Sequence, residues 1–409
     1  MGSSRDSKSG SSQSKTANST ASAREGIRYD LLLKGGEFID PASGRRGRLD
    51  VAFSEKKVAE IAPEIDSSLA RQVESAAGLM VVPGLIDCHV HVAEGIGVSV
   101  RPDVIGVNRG ATTLADAGSC GSCNFGAFKP VIAENRTRVL AWLNISTIGQ
   151  TDLRLGELIL GAAVNIEEAV EVAADNPEII VGFKARLSSY VTGNAPAIPY
   201  LQRLLEAGNA AKLPVMIHVG DTVEPLGRIL DMLRPGDVCS HYLTSRRHNI
   251  LGIMGFPGAA IIPEAFEARR RGVFLDVARG RNHLGFLQVQ KAIEAGLLPD
   301  MLSTDLTLPS SADPGYSLMM LVTQFMTFGV SFEDCLKQIT VNPAKAIGRP
   351  ELGKLEAGGV GDATLLKIEE GDFTIRDVDG QTRKTDRRVV AVGVVRDGSF
   401  VKIHPAASE

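Results

Sequence analysis

GLIDCHVHV, residues 84–92, places two histidines two positions apart in an otherwise apolar run. Side chains of a β-strand alternate between its two faces. His89 and His91 therefore share one face, while Cys88 and Val90 are expected to point the other way, against helices. A shared face has two readings: a pair of hydrogen-bonded core imidazoles, or two arms of a metal site. The pair alone does not choose between them.

The sequence around this run has a strong rhythm. Apolar strand-like segments recur as TTLADAG, RVLAWLNIS, IIVGFKARL, PVMIHVG, DVCSHYL, VFLDVA and DMLSTDL. Helical patterns such as NIEEAVEVAADN, AIPYLQRLLEAGNAAK and LGFLQVQKAIEAG lie between them. With the 81–92 segment this makes eight strand candidates, most of them followed by a helix. Near-continuous apolar strands alternating with helices imply a parallel sheet covered on its outer face. Eight such units over residues 81–349 predict a closed (β/α)8 TIM barrel, an α/β fold. An open doubly wound sheet more often carries a glycine-rich phosphate loop after its first strand, and none is present. Residues 27–80 and 350–409 read instead as short strands and turns, including a DG hairpin signal in VVRDGSFVKI. These two β-rich ends are expected to build one small domain together. Residues 1–26 form a Ser-rich stretch without an apolar signal-peptide core and are expected to be a disordered tail.

The bulk composition narrows the function. The chain has 409 residues, 44% hydrophobic and 22% charged, and a formal net charge of -4. Such a balance suits a soluble globular protein and offers no basic footprint for nucleic acid. No apolar run reaches membrane-spanning length. The five cysteines, Cys88, Cys120, Cys123, Cys239 and Cys335, are odd in number and scattered. They read as free thiols in a reducing compartment, which points to the cytoplasm. Cys120-Gly-Ser-Cys123 is a lone CxxC, without the context of a redox motif or two further ligands for a structural zinc.

In a (β/α)8 barrel the chemistry sits at the C-terminal ends of the strands. Four of the seven histidines fall there: His89, His91, His218 and His241. Asp305 ends DMLSTDL, and Lys184 lies inside IIVGFKARL. Singly, a strand-end histidine is more often structural than a ligand, and a strand-end aspartate is as often a helix cap. Together they place imidazoles and a carboxylate around one barrel mouth, the ligand types that zinc, iron or manganese accept. A charged lysine inside an apolar strand costs several kcal/mol unless it is paired or neutralised. Either Lys184 pairs with an acid, or burial lowers its pKa and its neutral amine takes up carbon dioxide. The resulting carbamate would bridge two cations. Arg186 shares the face of Lys184 and would hold a substrate carboxylate or a loop acid.

These residues resemble the amidohydrolase superfamily, and within it the dihydroorotase-like deacetylase branch. The resemblance rests on the spacing P-G-L-I-D-x-H-x-H, on DAGSCGSCNFGAF (116–128), RVLAWLNIS (138–146), GFKARLS (182–188) and LPDMLSTDLT (298–307), and on GKLEAGGVGDATLL (353–366). It implies a (β/α)8 barrel with a small β-sandwich built from both chain ends. It further implies two divalent cations, zinc as first choice with manganese, iron or cobalt as alternatives. His89, His91 and Asp305 would hold one cation and His218 and His241 the other, with carboxylated Lys184 bridging. Asp305 would also carry the catalytic proton, and a homo-oligomer is usual in the family.

Two loops depart from the branch. Asp276 is followed by Val-Ala-Arg-Gly, which puts Arg279 where relatives carry a histidine. After His241 an expected Asn-Gly-Lys stretch is replaced by Thr244, Ser245 and Arg246. The expected function is therefore hydrolysis of an amide or ester bond by a metal-bridged hydroxide. The substrate would be a small acylated carboxylate, either an N-acyl amino acid or an acyl hydroxy acid. Arg186, Arg246, Arg247 and Arg279 are the candidate substrate-binding residues. Two alternatives stand beside this: a cyclic amidase of dihydroorotase or hydantoinase type, and a catalytically inactive oligomeric scaffold.

Overall fold

The computed structural model describes residues 26–404, so most of the Ser-rich stretch 1–26 lies outside the described residues. Five strands open the fold: β1 (Tyr29–Asp40), β2 (Arg45–Ser54), β3 (Lys57–Ala62), β4 (Ala70–Ser75) and β5 (Met80–Pro83). Seven follow in the middle: β6 (Leu85–Val90), β7 (Ala111–Ala117), β8 (Arg138–Asn144), β9 (Ile180–Arg186), β10 (Val215–His218), β11 (Val238–Ser240) and β12 (Phe274–Asp276). Three close it: β13 (Ala363–Arg376), β14 (Thr382–Arg396) and β15 (Ser399–Lys402).

β6 to β12 form one parallel sheet in sequential order. Their residues are buried almost without interruption, as expected when helices cover one face and the barrel interior fills the other. Helices at Phe125–Glu134, Ile166–Ala174, Ile198–Ala211, Leu226–Leu230, Pro263–Arg271 and Phe286–Glu294 fall between these strands and after them.

The eighth expected strand, DMLSTDL, is an irregular segment rather than a strand. It still closes the curl, because Met301 bridges Asp276 and Leu306 bridges Val90, both in parallel. The Asp305 N–H donates to the His89 carbonyl (2.7 Å), and the His91 N–H donates to the Leu306 carbonyl (3.0 Å). Two things break the extended run. Asp305 has φ 51°, in the left-handed region. The Thr304 amide and hydroxyl are taken by the Asp87 carboxylate (3.0 and 2.6 Å) and not by a neighbouring strand.

The two chain ends share a single eight-stranded sheet. Its order is β15-β14-β13-β5-β1-β2-β3, with β4 added beside β1. The pairing that joins the ends is β13 with β5, antiparallel from Ala363 opposite Pro83 to Leu366 opposite Met80. β1 itself is divided: its first half pairs with β4 and its second with β5, across a register shift between Leu33 and Gly36. The 81–92 run is likewise two strands, parted at Gly84. A Cβ there would sit 2.2 Å from Thr112 Oγ1 and 2.8 Å from Asp362 Cβ, so the backbone passes where a side chain has no room.

Strict alternation also fails inside β6. The register against β7 shifts between Asp87 and Val90. Val90 joins the large core shared with Leu114, Phe183 and Ile217. Cys88 instead packs in a small cluster with Ala115, Trp142, Met216 and Met301, and its Sγ lies 3.6 Å from Met301 Sδ. Met216 precedes His218 and Val181 precedes Lys184, so this cluster lies under the site as an apolar floor. The expectation that Cys88 faces the helices is thus corrected by the irregular register.

The long β13–β14 hairpin reaches back to the barrel. At its tip, Asp377 Oδ2 accepts from the Phe286 N–H (2.9 Å), and the Val378 N–H donates to the Leu284 carbonyl (3.2 Å). No helix among the described residues is long and apolar enough to cross a membrane.

Gly84→Ala forces a methyl group into this seam. The expected result is a loss of about 1–3 kcal/mol of stability, read as a lower denaturant midpoint. An unchanged midpoint would show that the strand junction yields freely.

Candidate metal centre

The barrel brings together every metal ligand expected from the sequence. His89 ends β6 and His91 lies just beyond it; Lys184 lies in β9, His218 ends β10, His241 follows β11, and Asp305 sits on the closing segment. Among the described residues two groups have ligand atoms all within 4.8 Å of one another: His89, His91 and Asp305, and His218, His241 and His283. Asp305 Oδ1 lies 3.3 Å from His91 Nε2 and 3.7 Å from His89 Nε2. Lys184 Nζ is 3.4 Å from His89 Nε2 and links the first group to the barrel wall. His89 and His241 rings stand 5.0 Å apart between centroids, so the two groups adjoin.

Hydrogen bonds fix the tautomers. The Ser240 hydroxyl donates to Asp276 Oδ2 (2.8 Å), so its oxygen must accept from His89 Nδ1 (3.0 Å). Likewise the Ser119 hydroxyl donates to Asp116 Oδ2 (2.8 Å) and accepts from His91 Nδ1 (2.8 Å). His241 Nδ1 faces the Ala278 carbonyl at 2.6 Å, which can only accept. All three rings therefore carry the proton on Nδ1 and present a bare Nε2 lone pair to the centre. Outer partners commonly hold metal-binding imidazoles in this way.

The charge state agrees. Burial chiefly, then nearby cationic groups, holds the His89, His218 and His241 pKa values well below the usual imidazole range. Burial likewise takes His283 down to about 4. The Nε2 atoms of His218 and His241 are buried without a hydrogen-bond partner among the described residues. A buried polar atom without a partner is costly, and neutral imidazoles with converging lone pairs suit a divalent cation. Lys184 is fully buried, and burial lowers its pKa to about 7 against the opposing pull of Asp305 and Asp276. Its stem passes over Gly118, where a Cβ would come within 2.7 Å of Lys184 Cγ. The residues present thus fit a pair of cations.

The expected substrate arginines do not all face the site freely. Arg186 is buried and paired with Glu157, its Nε 2.7 Å from Oε1 and its Nη2 2.5 Å from Oε2. Of its two readings, the loop acid is the one found. Arg279 donates to the carbonyls of Arg376 (3.1 Å) and Gly280 (3.3 Å), and its guanidinium stacks 4.1 Å from the Tyr316 ring centre. It is committed to packing against the hairpin and does not replace the expected histidine. Arg246 and Arg247 are exposed beside the mouth. Arg246 Nε makes one long contact, 3.4 Å to the Asn282 carbonyl, and its charge reaches His283. All five cysteines are free, and neither ligand group contains one.

Sequence reasoning missed three contributors. Asp276 anchors His89 through Ser240 and accepts from Ser303 Oγ (2.5 Å) as well. Glu157 comes from the long connection after β8 and was invisible as a partner of Arg186. His283 lies four residues past Arg279 in the same loop, which was the one signal that could have revealed it.

The chain is similar to several known proteins. The amidohydrolase family model matches residues 80–401. A deacetylase of Agrobacterium fabrum is 31% identical over 340 residues, covering 81% of each chain. A deacetylase of Enterococcus faecalis is 28% identical over 91% of this chain and 99% of its own. A solved structure described as an adenine deaminase superposes with a TM-score of 0.84 at 26% identity, covering 92% of this chain and all of that one. One described as a dihydroorotase gives 0.82 at 28% identity, covering 91% of this chain and 99% of that one.

The buried lysine predicts a pH signature in chelator-treated protein. An unfolded lysine titrates near 10.4, whereas folded Lys184 titrates at about 7. Between those values the unfolded chain holds a proton that the native chain lacks, so this group makes stability rise with pH across that window. Lys184→Met removes the group. The variant should be more stable than the natural chain near pH 7, and its advantage should shrink as pH approaches 10. Parallel stability profiles in denaturant titrations would contradict this.

Proposed function

Because this chain belongs to the amidohydrolase family, we propose that it is a two-cation hydrolase cleaving the amide bond of a small N-acyl amino acid. An acyl hydroxy acid ester is the second substrate of the same kind. The observation that carries this reading is the convergence of bare, buried imidazole nitrogens on Asp305 and Lys184 at one barrel mouth. His89, His91 and Asp305 would hold one cation, His218 and His241 the other. Lys184 would bridge them as a carbamate, its neutral amine adding to carbon dioxide with release of one proton. Zinc suits the imidazole-rich set best, and manganese, iron or cobalt share its ligand preferences. When bound, such cations acidify water and polarise a carbonyl.

The chain's own residues do the rest. Asp305 accepts a proton from the attacking water and delivers it to the leaving nitrogen, so that acid and amine depart as separate products. Asp276 and Asp116, each acting through a serine, keep His89 and His91 in the ligand tautomer. The apolar floor of Trp142, Met216 and Met301 keeps water from reaching the site from below. Of the two exposed arginines, Arg247 donates to the Thr222 carbonyl (3.3 Å), and Arg246, whose charge reaches His283, is the one that would meet a substrate carboxylate at the rim. The names of the curated relatives support an acyclic acylated substrate, whereas the dihydroorotase structure favours a cyclic amide. Assaying N-acetyl amino acids beside dihydroorotate, hydantoins and adenine separates these readings. Turnover confined to the cyclic compounds would replace the first with the second.

Asp305→Asn should cut turnover by about 10²–10⁴-fold, the usual weight of positioned proton transfer, in folded protein. Full activity in that variant would remove Asp305 from the proton path. Arg246→Gln should raise KM for a carboxylate substrate by about tenfold or more, as loss of a charge-assisted hydrogen bond does. It should leave an uncharged acyl amide unaffected; equal effects on both would exclude carboxylate recognition.

A further inference from the structure

The second cation position, as expected from the sequence, rests on two histidines and Lys184. We propose that His283 is its third imidazole ligand, an inference that rests on the two-cation reading above.

One ring nitrogen from each of His218, His241 and His283 lies within 4.8 Å of the other two. Ring centroids are 4.0 Å apart for His218 and His241, 4.2 Å for His241 and His283, and 4.8 Å for His218 and His283. Crowded this closely, none of the three rings hydrogen-bonds another, and two of their Nε2 atoms have no partner. Neutral imidazoles do not gather in that way for mutual attraction; a shared cation explains the gathering. Nitrogens around one ion at about 2.1 Å stand no more than about 4.2 Å apart. A small rotation of the outermost ring, His283, closes the difference. Its Nδ1 already has a partner in Thr244 Oγ1 at 3.2 Å.

The loop that carries His283 is fixed from both sides. Gly280 is pressed against Asp305, where a Cβ would fall 2.4 Å from Oδ2. The His283 N–H donates to the Arg279 carbonyl (3.2 Å), closing a turn that points the ring inward. Arg279 is buried against Arg376 and Tyr316 and does not belong to the histidine cluster. Beyond it, Leu284 and Phe286 are pinned to Val378 and Asp377 of the hairpin tip. A strut from the C-terminal end of the chain thus holds this imidazole at the mouth. The two positions then differ in kind. One offers two imidazoles and a carboxylate, the other three imidazoles, so nitrogen-preferring ions should favour the second.

Cobalt(II) titration of the metal-stripped full chain tests this. The expected natural chain binds two equivalents. In His283→Ala the second equivalent should bind at least about tenfold more weakly, with a changed visible spectrum, while the first is retained. His283→Gln keeps the side-chain volume and should behave alike, and circular dichroism with a thermal midpoint certifies folding of both. His248→Ala is the control: its Nδ1 faces the Thr222 carbonyl at 2.8 Å, outside the cluster, and both equivalents should remain. Two unaltered equivalents with an unaltered spectrum in folded His283 variants would overturn the inference. A raised KM alone would then mark a substrate contact. A natural chain that takes up no second equivalent would overturn the two-cation reading itself, and this inference with it.

Discussion

An ammonium group held where no water reaches must be paired, neutralised or modified, and Lys184 is fully buried. The carboxylates that act on it, Asp305 and Asp276, do not offset the burial, so its pKa stays low. Nothing in the apolar floor beneath can stabilise the charge. The surrounding design makes sense around that constraint. Gly118 clears the path of the lysine stem, β9 aims it upward, and His89 waits 3.4 Å from Nζ. A neutral amine in this setting is a nucleophile toward carbon dioxide, and the proposed carbamate turns an unfavourable cation into the anion that two metal ions require.

The imidazoles meet the same demand from the other direction. Burial keeps His89, His218 and His241 uncharged, and hydroxyl or carbonyl partners on Nδ1 leave the Nε2 lone pairs of His89, His91 and His241 facing inward. Those partners come from distant segments: Ser119 after β7, Ser240 at the end of β11, Ala278 after β12. Geometry of that quality is set by the closed curl of the sheet, since every strand end contributes to one mouth. The irregular closing segment is part of that quality. An eighth regular strand would pair fully and present its side chains by simple alternation. Instead, left-handed φ values of 67° at His241 and 51° at Asp305 turn both residues toward the centre. Backbone strain of this kind is concentrated at functional sites.

Much of this was legible in the chain. Period-two spacing paired His89 with His91, and the alternation of apolar runs with helical patterns announced the parallel sheet. The odd placement of Lys184 in an apolar strand pointed to a lysine whose ammonium burial disfavours. What stayed hidden depends on contacts between distant residues. Arg186 and Glu157 meet only because the connection after β8 folds back across β9. Arg279 packs against the hairpin beyond residue 363 because Arg376 supplies a carbonyl for it, and His283, four residues on, meets His218 and His241 only in the folded chain. The register shift that moves Cys88 inward is a property of β6 against β7 and has no local signature.

The central claim is that Lys184 becomes a carbamate bridging two cations, and its most direct test is carbon NMR of the metal-loaded chain equilibrated with isotope-labelled bicarbonate. The account predicts a carbamate resonance that appears with the divalent cation and is absent from Lys184→Met. A metal-loaded, folded natural chain without that resonance would contradict it.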